Sequence, residues 1–394
     1  MSLNLDKVTW KRVRLGDVIR RSRTQVAPAN GDVDRYVGGG HIDSDSLTIE
    51  RFGDVNDGQM GSTFTYLFQP GQVLFVSARP YLRKSGVVNF SGVVADKTYV
   101  LDAIPENGLL QEFLPFVLAS EHFIAFATAE ASGSMNPRLL WGQIQRYEFD
   151  LPPLDEQQRL ADLLWALERH GQGLASTEAA LRSTRQILVR DRLARVAELG
   201  GVARLDSLIE SGRPITYGIL MPGSGVENGI PVIKVKDFPD GRIREGQLLL
   251  TTEELAQEYR RSTLKQGDLV ISIRGTIGRL AEVPASLVGA NITQDSARLS
   301  IDPKHDRRYV RLALESEYCQ EQIRRKTTGT RVLGLNLGAL RELDVPVPSD
   351  RSDAVDVIRE AESLTKAIDE TAIARRHLTT LRAVISAEVL GGAG

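Results

Sequence analysis

Apolar residues along this chain follow two periods in alternation: short Val- and Ile-rich runs of strand type, then long stretches of helical spacing, then both again. The first change falls at Leu-Pro-Pro-Leu-Asp-Glu-Gln-Gln-Arg-Leu, residues 151 to 160. The two prolines end whatever precedes them. Asp155 and Gln158 stand three apart, the arrangement of a capping box at a helix start. Leucine then recurs every seventh residue, at Leu160, Leu167, Leu174, Leu181 and Leu188, which places one seam against a partner helix. Residues 155–197 are expected to form a rod of roughly 65 Å at ~1.5 Å per residue. Gly171 and Gly173 loosen its middle, each costing about 1 kcal/mol relative to Ala.

The partner lies in the same chain. A second seam runs through Val357, Leu364, Thr371, Leu378 and Ile385, each 197 positions after its counterpart, behind Val345-Pro346-Val347-Pro348-Ser349. Antiparallel packing predicts Leu160, Leu167, Leu181 and Leu188 against Val357, Leu364, Leu378 and Ile385, with Leu160 near Ile385 and Leu188 near Val357. The chain therefore reads globule, rod, globule, rod, an internal repeat.

The two globules repeat one order of elements. Trp10 to Ile19, a strand leading into a helix, is answered by Ala203 to Ile209. Arg35 to Asp43, running into a Gly-rich turn, is answered by Gly229 to Asp237; neither holds a G-x-G-x-x-G opening a helix, which argues against a dinucleotide loop. Gly71 to Lys84 is an apolar strand ending in a cationic turn, and Gly267 to Arg279 answers it, with Arg274 in the place of Arg79. An apolar helix over Leu109 to Ala129, interrupted by Pro115, is matched by Arg311 to Arg325. The polar loop Ser132-Gly133-Ser134 returns as Thr328-Gly329-Thr330.

Composition narrows the class. At 394 residues and net charge −2, the chain is long enough for two or three cores and is not globally basic. Lys7 to Arg23 nevertheless holds seven cations against Asp17, and no acid separates Glu321 from Glu342. The lone Cys319 excludes a disulfide framework or cysteine metal cage, and the five histidines are scattered. No membrane span or signal peptide is predicted, so a cytoplasmic protein without a metal is expected.

These pieces, in this order, make the chain resemble the specificity (S) subunit of type I restriction–modification systems, a bacterial phage defence. The motifs carrying the resemblance are Leu-Pro-Pro-Leu-x-Glu-Gln at 151 to 157, Tyr-Val-Gly-Gly-Gly-His-Ile-Asp at 36 to 43, Arg-Pro-Tyr-Leu-Arg-Lys at 79 to 84, Gly-Ile-Pro-Val-Ile-Lys-Val-Lys-Asp at 229 to 237 and Arg-Gly-Thr-Ile-Gly-Arg at 274 to 279. The second rod departs from the pattern, because Pro-Val-Pro-Ser-Asp-Arg replaces the Pro-Pro-Leu-x-Glu-Gln start. The resemblance implies an α/β (α+β) fold: two repeated target-recognition domains, 1–151 and 201–347, separated by two long antiparallel coiled-coil helices, 152–200 and 348–394, with pseudo-two-fold symmetry. It implies sequence-specific reading of a bipartite site on double-stranded DNA. Its implied partners are two methyltransferase (M) subunits and restriction (R) subunits.

Catalysis is not expected on this chain. Asn136-Pro137-Arg138-Leu139 is not the Asn-Pro-Pro-aromatic motif of adenine methyltransferases, and no methyl-donor loop, nuclease core or phosphate-cradling loop stands out. S-adenosylmethionine, ATP and Mg are expected on the partners. DNA contacts are predicted from Arg79, Tyr81, Arg83, Lys84, Ser134, Asn136 and Arg138, then Arg274, Thr276, Arg279, Thr330, Arg331 and Asn336. The alternative for Arg79 and Arg274 is that they brace their own turns. Two other functions compete: a two-headed specificity subunit of a fused methyltransferase–nuclease system, and a non-DNA coiled-coil scaffold.

Overall fold

The computed structural model describes residues 5–28, 31, 33–329, 333–348 and 350–391. The chain divides into two compact units, residues 1–176 with 372–394, and residues 177–371. Each unit takes a share of both long helices, Leu154–Gly200 and Arg351–Leu390, instead of leaving them as separate rods.

In the first unit a five-stranded sheet runs Ile19–Ser22, Thr98–Ala103, Val73–Val76, Ser85–Val88, Thr48–Ile49. Strand side chains alternate between faces. Val73, Phe75, Tyr99 and Leu101 therefore enter one core with the helices, including Leu160, Leu164, Ile385 and Val389. Leu74, Val88 and Val100 enter another with Val37, Phe68 and Val94. Those last residues belong to a second sheet, Gly53–Asp54, Arg35–Val37, Gly92–Ala95, Phe64–Phe68, whose central pair is parallel. A two-stranded ribbon pairs Lys11–Arg14 with Glu148–Leu151.

The second unit repeats this plan. Its sheets run Thr216–Tyr217, Ser296–Leu299, Leu269–Ser272, Leu280–Glu282, and Leu249–Thr251, Ile230–Ile233, Asn291–Ile292, where the last two strands are again a parallel pair. Leu269, Ile271, Ala297 and Leu299 face the helices with Leu193, Val357 and Ile358; Val270 and Ala281 face the other sheet with Ile233 and Ile292. The ribbon is Val202–Arg204 with Asp344–Pro346.

Three expectations change in detail. The helix expected over 109–129 is two helices, Leu114–Ala119 and Glu121–Glu130. Pro115 sits in the first turn, where its missing N–H costs nothing. The break is at Ser120, whose Oγ accepts from Phe123 N–H. Ser316 breaks the second unit's pair, Arg307–Glu315 and Glu317–Lys326, in the same place. The first long helix begins at Leu154, so Asp155 lies inside its first turn. Its start is fixed by Gln157 instead, fully buried, accepting from Leu110 N–H (2.9 Å) and donating to the Gly108 and Pro152 carbonyls. Gly171 and Gly173 do not interrupt the helix.

Of the seam positions, Leu160, Val357 and Ile385 are buried, whereas Leu167, Leu181, Leu188, Leu364 and Leu378 are half-buried. Deep burial instead falls on Leu160, Ala161 and Leu164 in the first unit, and on Val189, Leu193 and Val196 in the second. An α-helix drifts about 20° per seven residues from a strict heptad, so one face cannot keep every seventh residue inside. Within each unit the helices run antiparallel. Leu160 shares the first core with Ile385, and Glu168 pairs with Arg382. Leu188 packs on the second core, which holds Val357, and Arg192 pairs with Glu360 at 2.7 Å.

Candidate nucleic-acid interface

In each unit a turn at a strand end meets a seven-residue loop. In the first, the turn follows Val73–Val76 and the loop is 132–138. Ser132 and Arg138 exchange backbone hydrogen bonds of 3.0 and 2.8 Å, and Leu139 N–H donates to the Ser77 carbonyl. In the second, Thr328 and Gly334 exchange bonds of 3.0 and 2.9 Å, and Leu335 N–H donates to Ile273. Gly133 (φ 113°) and Gly329 (φ 123°) hold the same left-handed place.

This pairing corrects the register between the turns. The bridges are Ala78 with Arg138 and Arg274 with Gly334. Arg274 therefore answers Ala78, and Gly275 answers Arg79. The second turn is one residue shorter: Val76 N–H reaches Lys84, but Ser272 N–H reaches Arg279. Arg83 then corresponds to Gly278. Arg79 (φ 54°) and Arg83 (φ 57°) are left-handed, as are Gly275 (φ 71°) and Gly278 (φ 84°). Left-handed backbone suits glycine and costs other residues energy.

The predicted residues separate by what they already touch. Arg83 is committed internally: it pairs with Asp45 and, at 2.8 Å, with Glu121, and reaches the Ala119 carbonyl. Burial works against its charge, but the bonds to Glu121 and Asp45 outweigh that and raise its pKa above the ordinary value. Arg138 is likewise held, by the Asp96 carboxylate (3.1 Å), the Asp96 carbonyl (2.6 Å) and Ser77 Oγ (3.1 Å). Lys84 donates to the Gly39 carbonyl, and Arg279 Nη1 lies 3.5 Å from the Val235 carbonyl. Asn336 caps the short helix Leu337–Arg341, accepting from Ala339 N–H at 2.8 Å.

Arg79, Tyr81, Ser134, Asn136, Arg274 and Thr276 are exposed. Among the described residues, the side chains of Arg79 and Arg274 have no hydrogen bond or ion pair. Arg274 borders a concavity with Thr328, Leu333, Gly334, Leu335 and Asn336. Thr330 and Arg331 lie outside the described residues.

Sequence reasoning missed Asp96 and Ser77, which anchor Arg138 from just beyond the ends of strands Gly92–Ala95 and Val73–Val76, and Arg21. Its guanidinium lies over Tyr99 at 4.3 Å, beside Arg23 and Arg138, and burial lowers its pKa. Many cations of the basic stretches are paired: Arg12 and Arg14 with Glu148, Arg20 with Asp102, Arg324 and Arg325 with Glu321. Those stretches are therefore far less cationic than their sequence implies. Cys319 is buried, which pushes its thiol pKa up to about 12 and makes it a packing residue. Among the described residues, no cluster of His, Cys, Asp or Glu could hold a metal, and no helix is long and apolar enough to cross a membrane.

Each unit thus presents an α/β scaffold with an exposed arginine at a strand-ending turn. Residues 7–177 match the family described as "Type I restriction modification DNA specificity domain". The EcoBI specificity subunit of a type I restriction enzyme from Escherichia coli is 28% identical over 244 residues, 54% of this chain and 50% of that protein. The chain thus spans about half the length of that curated relative. Two solved structures share the fold along the whole chain. One, from work on assembly and conformational transition of the type I R-M system, has a TM-score of 0.61 at 20% identity and covers 98% of both chains. The other, the type I restriction–modification S subunit from M. genitalium, has a TM-score of 0.60 at 13% identity, covering 100% and 99%. The family match lies in the first half of the chain, and the likeness of fold extends along the whole of it.

Proposed function

We propose that this chain is the sequence-reading, non-catalytic subunit of a type I restriction–modification complex, each unit reading one half of a bipartite site on double-stranded DNA. The observation that carries this is the repeated turn-and-loop, each copy exposing one arginine with no partner among the described residues, Arg79 and Arg274. An unpaired guanidinium can bind a phosphate or pair bidentately with guanine O6 and N7. Tyr81, Ser134, Asn136 and Thr276 complete the exposed rim. Lys84, Arg138, Arg279 and Asn336 serve in shaping it, and Arg83 fixes the first turn from within.

The two long helices set the distance between half-sites, about a pseudo-two-fold axis, and offer similar surfaces to two methyltransferase subunits. Restriction subunits join that assembly. S-adenosylmethionine, ATP and Mg belong to those partners, as do methyl transfer and cleavage. The domain limits 1–151, 152–200, 201–347 and 348–394 mark the modules of this reading, and exchanging the first for a relative's should change one half of the target alone.

Selection of a random duplex library by the full-length chain, with its copurifying subunits, tests this. Two short sequence blocks at fixed separation are expected. Four residues inserted in each long helix, about 6 Å at ~1.5 Å per residue, should lengthen the separation by up to about two base pairs at ~3.4 Å each. No duplex enrichment at all would leave the scaffold reading standing.

A further inference from the structure

The two units differ at one corresponding set of positions, and the differences occur together. In the first unit Arg138, Asp96 and Ser77 form a closed set: the guanidinium pairs with the Asp96 carboxylate and donates to the Asp96 carbonyl and Ser77 Oγ. The backbone fixes the equivalent positions. Ser77 N–H donates to Lys97 as Ile273 N–H donates to Asp295, so Asp96 corresponds to Gln294, Ser77 to Ile273 and Arg138 to Gly334. All three members of the set are replaced. Gln294 Oε1 is buried with no hydrogen-bond partner among the described residues. Ala78, across the bridge, becomes Arg274.

Loss of the Arg138 side chain at Gly334 accompanies an open concavity bordered by Arg274. Gly334 is not in left-handed backbone, and a Cβ there would come no nearer than 3.9 Å to any heavy atom, to Arg274 Cγ and the Ile273 carbonyl. The glycine is therefore not required by conformation or crowding. Its effect is to leave space.

The geometry points to Arg274 and the Gly334 concavity as a nucleic-acid subsite belonging to the second unit alone, which the first unit closes with its own Arg138. Its ligand is a group with two adjacent acceptor atoms, either the O6/N7 edge of guanine or a backbone phosphate. This rests on the proposed DNA-reading function. It adds that the repeated units read by different means, so that the half-site of the second unit alone depends on the bridge cation.

The experiment is duplex-library selection and salt-dependent affinity for the full-length chain with its copurifying subunits. It compares wild type, Arg274→Ala, Gly334→Arg, Gly334→Ala and Arg138→Gly, with melting temperatures as the folding control. Arg274→Ala should lower affinity about tenfold or more. Loss of a guanine preference at one position in one block identifies the base edge. Uniform loss, with a salt slope smaller by about one, identifies a phosphate. Gly334→Arg should reproduce the loss with an unchanged melting temperature, while Gly334→Ala retains binding. Arg138→Gly should lower the melting temperature, because Arg138 is bonded to Asp96 and Ser77 of its own chain. Wild-type selection with unchanged binding by Arg274→Ala or Gly334→Arg overturns the subsite. Absence of any selected duplex by wild type instead overturns the DNA-reading function on which it rests.

Discussion

Arg138 of the first unit and Arg274 of the second approach the same two-residue bridge from opposite sides, the first from the loop and the second from the turn. Arg138 is surrounded by acceptors of its own chain; Arg274 has none among the described residues. A buried or half-buried charge-assisted set stiffens what it joins, so the first loop is held shut by side chains as well as backbone. Among the described residues of the second, backbone bonds alone hold it. Repetition of a fold thus preserves the hydrogen-bonded frame while leaving the side chains on it free to serve the interior in one copy and the exterior in the other. The left-handed residues of the turns carry the same lesson. Gly275 and Gly278 meet the backbone requirement without strain, whereas Arg79 and Arg83 meet it at a cost that only Arg83 offsets through internal ion pairs.

The largest test of the parallel between units concerns their cores. Leu164 (0% exposed) and Leu193 (0% exposed) serve the first and second units as equivalent buried contacts of one long helix. Leu164→Ala and Leu193→Ala should each cost about 2–5 kcal/mol. Hydrogen exchange would assign the loss: amides of residues 98–103 should lose protection in the first variant and those of 296–299 in the second. Equal loss in both units from either variant would break the view that each unit owns its share of the helices.

A smaller effect separates the loops. Asp96→Asn removes the charge that holds Arg138 and should lower the first unit's stability by roughly 1–3 kcal/mol. It should also raise proteolytic cleavage within residues 132–138. Gln294→Asp, the reciprocal change, should give the second loop no comparable gain, because Gly334 brings no cation to meet the new carboxylate. Urea denaturation and limited proteolysis of both variants check the contrast. A stabilising Gln294→Asp would mean that Arg274 already turns inward.

The repeat, the strand-ending turns, the loops and the two helices were all legible in the sequence, because each depends on local punctuation and periodicity. Leu160 and Ile385 share one core, the arrangement that reversing one seam along the other expects of them, while most other seam positions are half-buried. What was not legible depended on register. One residue missing from the second turn moves Arg274 from the position of Arg79 to that of Ala78, and no local spacing announces where the deletion falls. The fates of Arg138 and Arg83 were hidden for another reason. Their acceptors, Asp96, Glu121 and Asp45, lie in unrelated stretches that the sheet and helices bring together only on folding. The basic stretch from Lys7 to Arg23 misled in the same way, since Glu148, Asp150 and Asp102 neutralise much of it from across strand pairs.

The smallest expected effect on stability is at Arg79, and its sign is informative. At an ordinary position, replacing a residue by glycine destabilises, because the unfolded chain gains freedom. Arg79 has φ 54° and ψ 62°, is exposed, and its guanidinium has no partner among the described residues. Left-handed backbone costs a residue with a Cβ roughly 1–2 kcal/mol, which glycine does not incur. Arg79→Gly should therefore leave stability unchanged or raise it by up to about 1 kcal/mol, as the second unit's Gly275 already suggests. The same change should weaken duplex binding and reduce its salt dependence, because the unpaired cation is lost. Arg79→Lys, which keeps the charge and the strain, should retain most of the salt dependence at wild-type stability. Thermal melts and salt titrations of the two variants check this. Marked destabilisation by Arg79→Gly would show that Arg79 braces its turn, as Arg83 does, and would leave the first unit without an unpaired arginine at this site.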